Sequence, residues 1–139
     1  MALTDAQANA EILHGTVPAT VILAGTVTRG DALGYSSGWK RALATTGSVI
    51  QARCVAAEDG VATQRIKVYF GDCILGGTRF SACVAGAAVY AAEGTGNLNG
   101  QYTETIPSTT GDAKTQIGES LDTTTILVFP YRNTQVVAT

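Results

Sequence analysis

Gln64-Arg65-Ile66-Lys67-Val68-Tyr69-Phe70 alternates with a period of two: Ile66, Val68 and Phe70 share one side, Arg65, Lys67 and Tyr69 the other. Only extended backbone places every second side chain on one face, so this stretch is a strand with a buried side and a wet side. Working outward, Gly71-Asp72 bends the chain into Cys73-Ile74-Leu75, and Gly76-Gly77 bends it again. Upstream, Glu58-Asp59-Gly60 makes a turn after residues 48–57. There Ile50, Ala52, Cys54 and Ala56 form one wholly apolar face, expected to point into the core. Val49, Gln51, Arg53 and Val55 form the other. Further short runs at 20–23, 26–28, 32–35, 39–45, 79–84, 87–92, 101–106, 116–121 and 124–129 are bounded by Gly, Pro or small polar residues. That punctuation predicts an all-β chain, a barrel or sandwich.

The chain also repeats itself. Thr28-Arg29-Gly30-Asp31-Ala32-Leu33-Gly34-Tyr35 is echoed by Val84-Ala85-Gly86-Ala87-Ala88-Val89-Tyr90-Ala91. Cys54-Val55-Ala56-Ala57-Glu58-Asp59 finds its echo in Gly118-Glu119-Ser120-Leu121-Asp122, and Ile66-Lys67-Val68-Tyr69-Phe70 in Thr125-Ile126-Leu127-Val128-Phe129. Self-similarity of this kind predicts a duplicated β unit closing on itself. The expected organisation is a single domain, 1–139, with an N-terminal arm (1–19), two similar β units (20–77 and 78–130) and a C-terminal tail (131–139). In the arm, Thr4-Asp5-Ala6-Gln7 has the pattern of a capping box, predicting a short helix that runs to His14 and stops at Gly15. In the tail, Val136-Val137 is expected to add to a sheet edge.

Apolar residues are 45% of the chain but aromatics only 6%, so the core has to be built from Ala, Val, Ile and Leu. Charged residues are 14%, against about 25% in ordinary soluble domains, which lowers the desolvation cost of packing against other proteins. With net charge −2 and Lys40-Arg41 as the only basic pair, nucleic acid is not the expected partner. No apolar run approaches the roughly 20 residues of a membrane helix, and the first residues lack a secretory pattern. Cys54, Cys73 and Cys83 are expected as free thiols in a reducing cytosol. They form no CxxC and no Cys/His pair at metal spacing, so neither metal nor cofactor is expected.

Catalytic constellations are missing from the pattern. His14, the lone histidine, sits in the arm, where nothing fixes it against a proton donor. Glu58-Asp59 are adjacent turn acids, and Asp31 and Asp72 stand at glycine turns where local hydrogen bonds account for them. Gly94-Thr95-Gly96 lacks the phosphate-loop lysine. The expectation is a protein that adheres, not an enzyme. Its candidate interface residues are Leu3, Ile12 and Leu13 in the arm, Trp39 with Lys40 and Arg41, and Tyr131 and Val136 in the tail. Trp39 has two readings, an interface anchor or a cap on the core. Two rival functions stand beside adhesion: a carbohydrate or small-ligand module stacking on Tyr35, Trp39, Tyr90 and Tyr102, and an enzyme with a cysteine nucleophile.

The order of motifs adds a likeness. Gly71-Asp72, Cys73-Ile74-Leu75 and Ala82-Cys83-Val84-Ala85-Gly86-Ala87-Ala88-Val89-Tyr90, with Val55-Ala56-Ala57-Glu58-Asp59 and Ile117-Gly118-Glu119-Ser120-Leu121, resemble the small capsid decoration (cement) proteins of tailed bacteriophages. The resemblance spans residues 20–129. Ala87 departs from the usual Asp of that family and Cys54 from its usual Gly; residues 39–46 and 98–111 look like elaborations. What the likeness implies is a β-barrel or β-tulip fold, a homo-oligomer (often a trimer) and attachment to the major capsid protein on the outer surface of the virion, with another phage head or tail structural component as the alternative. Assembly would take place in the host cytoplasm, with no catalysis.

Overall fold

The computed structural model describes residues 10–80, 82–93, 101–130 and 136–137. Leu3, Tyr131 and the capping-box residues Thr4 and Gln7 lie outside them. Among the described residues the chain is all-β and contains no helix. Strands β1 (Glu11–Gly15), β7 (Cys73–Gly76), β8 (Ala88–Ala91), β9 (Tyr102–Thr103), β10 (Gln116–Ser120) and β11 (Ile126–Val128) make a six-stranded sheet in the order β1-β7-β11-β10-β8-β9. Strands β2 (Pro18–Ile22), β3 (Ala32–Tyr35), β4 (Trp39–Arg41), β5 (Cys54–Ala56) and β6 (Arg65–Tyr69) make a five-stranded sheet, β2-β6-β5-β3-β4. All these pairings are antiparallel.

The two strand orders are the same order. Replacing β2 through β6 by β7 through β11 turns one sheet into the other, with β1 added on the β7 edge. The register agrees: Ala32 pairs with Val55 and Leu33 with Cys54, while Ala88 pairs with Glu119 and Val89 with Gly118. Hydrogen bonds repeat as well. Gly30 N–H donates to the Ala56 carbonyl (2.8 Å) and Ala56 N–H to the Asp31 carbonyl (2.9 Å). In the second half, Gly86 N–H donates to Ser120 (2.7 Å) and Ser120 N–H to Ala87 (2.9 Å). The turn glycines match too, with φ of 94° at Gly30 and 86° at Gly86, a conformation that L side chains adopt only with strain. One detail of the sequence echo slips by a residue: Ala56 opposes Val68 and Ser120 opposes Ile126, so Phe70 corresponds to Val128, not to Phe129. The division between sheets falls after Tyr69, and β7 (Cys73–Gly76) belongs with the second sheet.

The first sheet closes on itself. A parallel bridge joins Leu23, just past β2, to Trp39 of β4, and Ala24 N–H donates to the Trp39 carbonyl at 2.9 Å. Inside the resulting barrel lie Val21, Leu23, Val27, Leu33, Cys54, Ala56, Ile66 and Val68. Its outer face, through Ala32 and Val55, meets the inner face of the second sheet, where Leu75, Val89, Ile117, Ile126 and Val128 are at most 1% exposed. Burying each such aliphatic side chain contributes about 1.5–3 kcal/mol. Strand β5 is therefore buried on both sides: Val55, expected outside, is fully buried because the strand separates two cores. The expected inward face holds at Ala52, Cys54 and Ala56.

Three expectations need correction. Glu11–Gly15, expected as the end of a helix, is strand β1, hydrogen-bonded along β7 with a bulge between Ile12 and His14. An open β7 edge offers a row of partners that a marginal helix of this length cannot match. Residues 79–84, expected as a strand, carry no strand among those described, because Arg79 turns inward. Strands expected over 39–45 and 48–57 shrink to β4 (Trp39–Arg41) and β5 (Cys54–Ala56), with a lone bridge between Leu43 and Ile50.

Candidate functional site

The candidate residues fall in three places, not one. Trp39 begins β4 at one end of the barrel and packs edge-to-face between Tyr35 (5.6 Å) and Phe70 (5.7 Å). It rests on the barrel core, half-buried, and so acts as a cap. Tyr35 beside it is 66% exposed. Lys40 and Arg41, neighbours in sequence, point to opposite faces of β4, as alternation demands. Ile12 and Leu13 lie on β1: Ile12 packs on the shared core, while Leu13 is half exposed. Val136 is exposed and makes an isolated antiparallel bridge to Ala113, outside the strands of either sheet. His14 is exposed on β1, opposite Ile74.

The four aromatics of the stacking reading do not converge. Tyr102 is fully buried, with its hydroxyl donating to the Gly30 carbonyl at 2.7 Å, and burial drives its pKa well up. Tyr90 lies in β8 between neighbours on both sides. Only Tyr35 and Trp39 share a surface. The thiols are likewise placed for packing. Burial pushes Cys54 up to about 12 and Cys73 up to about 11, and raises Cys83, whereas a nucleophilic cysteine requires a depressed pKa.

Sequence reasoning missed the most highly charged spot in the interior. Asp31 is fully buried and receives Arg41 Nε (2.6 Å), Arg79 Nη2 (2.6 Å) and Thr28 N–H (2.8 Å). Arg79 is itself fully buried, and its Nη1 reaches the Arg29 carbonyl at 3.2 Å. Asp31 and Arg41 come from the first half, Arg79 and Tyr102 from the second, so this cluster pins one half to the other. The only sequence signal was an arginine inside a run of small and apolar residues.

The second half solves the same turn with a different residue. Ala87 occupies the place of Asp31, and the strand register puts Glu104 in the place of Arg41. Glu104 Oε2 accepts the Val84 N–H (2.8 Å) and the Ser120 hydroxyl (2.7 Å), doing for Val84 what Asp31 does for Thr28. The carboxylate has moved from the turn to the neighbouring strand.

A second carboxyl contact lies near the tail. Asp112 is 1% exposed, and its Oδ1 accepts both the N–H (2.7 Å) and the hydroxyl (2.6 Å) of Thr46. Burial pushes its pKa up, but the bonds from Thr46 and Glu93 outweigh burial and hold it below the usual carboxylate value. Glu93 is raised, chiefly by its hydrogen bond to Asp112.

Among the described residues no group of three or more His, Cys, Asp and Glu side chains is placed to hold a metal ion. Nor is any helix long and apolar enough to cross a membrane. Comparison with family models, curated proteins and solved structures returned no match. The comparison that carries weight is between the two halves of the chain itself.

Proposed function

We propose that this chain is a structural adhesion protein, a phage head decoration (cement) protein that binds the outer capsid surface as an oligomer, a trimer by the likeness to that family, and stabilises the shell. Its partners are the major capsid protein and further copies of itself, and its place is the virion exterior. The observation that carries the reading is a weakly charged, all-β body with large apolar side chains at its surface. Tyr35, Val17, Val84, Leu13 and Ile22 are each more than half exposed. Contacts of this kind bury apolar area with little charge desolvation, and repetition around a symmetric site multiplies modest affinities. The motif order of residues 20–129 supports the same reading. Co-sedimentation with expanded, empty phage shells tests it: saturable binding is expected, and failure to pellet with any shell removes the proposal. The stacking alternative keeps only Tyr35 and Trp39. Their edge-to-face packing offers a sugar ring no flat platform.

A further inference from the structure

We propose that the chain associates with itself head to tail, the turn Val84-Ala85-Gly86-Ala87 of one copy seating on the Tyr35–Trp39–Phe70 end of the barrel in the next. The inference deepens the oligomer of the reading above, but it rests on the internal repeat and not on a shell.

Inside one chain the two halves already make this contact once. The first half's turn, Thr28 to Asp31, sits on the second half: Tyr102 donates its hydroxyl to Gly30 (2.7 Å), and Arg79 holds Asp31 (2.6 Å) and the Arg29 carbonyl (3.2 Å). Because the halves share strand order and register, each surface in that contact has a counterpart. The counterpart of the turn is Val84 to Ala87; the counterparts of Tyr102, Ala91 and Val128 are Trp39, Tyr35 and Phe70.

The counterpart turn is bare, and the receiving end is bare at Tyr35, with Trp39 and Phe70 half-buried on the barrel core and Leu23, at the position of Arg79, buried within it. Val84 is 60% exposed, Ala85 and Gly86 are exposed, and a Cβ added at Gly86 would meet nothing within 4 Å. At the equivalent Gly30 an added Cβ would collide with the Ala10 side chain. On the receiving side Ala91 is 7% exposed and Tyr102 and Val128 are 0%, whereas Tyr35 is 66% exposed. One turn is consumed within the chain, and the second turn and the exposed Tyr35 are left over.

The chemistry has changed in step. Val84-Ala85-Gly86-Ala87 carries no charge where Thr28-Arg29-Gly30-Asp31 carries two. An uncharged turn meeting an aromatic end needs no buried ion pair. Trp39 stands at the register position of Tyr102, and its indole N–H is a donor available to the Gly86 carbonyl of the neighbouring copy. Since the two surfaces differ, the contact is heterologous, and it closes into a ring or runs on as a filament according to its rotation.

The test uses the full chain, Tyr35→Asp and Val84→Asp, followed by sedimentation velocity across concentration and by far-ultraviolet melting. Both residues are exposed, so both variants fold; Tyr35→Ser and Val84→Ser stand in if either does not. Wild type assembles, and each variant alone associates at least about tenfold more weakly. An equimolar mixture regains one intact interface and yields a heterodimer, the signature of a head-to-tail contact. Wild type monomeric at every concentration, variants that assemble like wild type, or a mixture that stays monomeric each overturns the proposal. Co-sedimentation with shells is read separately. Variants that keep both assembly and shell binding refute this interface alone, and wild type that assembles as described without binding any shell refutes the decoration reading alone.

Discussion

Asp31→Ala is the substitution to which the architecture is most sensitive. The carboxylate is fully buried and holds two arginines at 2.6 Å and the Thr28 amide at 2.8 Å. Removing it leaves the Arg79 guanidinium, itself fully buried, without its carboxylate at the junction of the two halves. Breaking a buried pair by deleting one partner costs about 3–5 kcal/mol. For a domain of this size each kcal/mol lowers the melting temperature by roughly 3–4 °C, so a fall of about 10–20 °C is expected. Urea unfolding measures it directly, as a lower midpoint at unchanged slope. The second half indicates how to rescue the loss. There Ala87 and Glu104 replace the Asp31 and Arg41 pattern, so Asp31→Ala with Arg41→Glu restores one carboxylate to the Thr28 amide and to Arg79. The double variant is expected to be more stable than Asp31→Ala alone by at least about 1 kcal/mol, a coupling of the size neighbouring residues show. A single-variant loss under about 1 kcal/mol would refute the buried ion-pair account. A double variant worse than the single would refute the correspondence between halves.

Gly30→Ala and Gly86→Ala both place a side chain at positive φ, at about 1 kcal/mol each, but only Gly30→Ala also drives a methyl into Ala10. Urea midpoints should therefore fall much further for Gly30→Ala; equal losses would contradict the packing at that turn. The raised thiols make the fold sensitive to alkali. Unfolded cysteines ionise near 9 while Cys54 and Cys73 hold their protons to about 12 and 11, so their contribution, complete below pH 9, is lost as pH rises from there through the folded values. Thiol titration should find all three cysteines unreactive in the native protein at pH 7 and reactive in urea. Glu93 has a raised pKa and Asp112 a lowered one, so Glu93 favours folding below its unfolded pKa and ceases to do so as pH climbs through its folded value. Glu93→Gln supplies a permanent donor to Asp112 and should stabilise the protein at pH 7 by about 0.5 kcal/mol, with little effect near pH 3.5. A melting temperature unchanged at pH 7 would discount the coupling of Glu93 to Asp112.

Much of this fold was written in short-range pattern. The alternation of Ile66, Val68 and Phe70 fixes the face of β6, and the Gly30 and Gly86 turns betray the repeat because only glycine is at ease there. Partners distant in sequence were harder to see. Glu11–Gly15 becomes a strand because β7 offers an edge, which nothing local in Glu-Ile-Leu-His-Gly announces. Cys54–Ala56 resisted a one-sided reading because a strand between two cores loses its polar face. Asp31 looked complete as a turn residue, since its link to Arg79 exists only once the halves meet. Of the candidate contact residues, Trp39 was visible as an outlier by type, but its role as a cap depends on Tyr35 and Phe70 arriving from other strands.

The repeat itself is tested most directly by through-hydrogen-bond scalar couplings in the labelled protein. Two matched pairs are expected: Gly30 N–H to the Ala56 carbonyl with Ala56 N–H to Asp31, and Gly86 N–H to the Ser120 carbonyl with Ser120 N–H to Ala87. Finding the first pair while the Gly86 and Ser120 amides couple elsewhere would mean that the halves are not copies, and the reasoning built on their equivalence would fall.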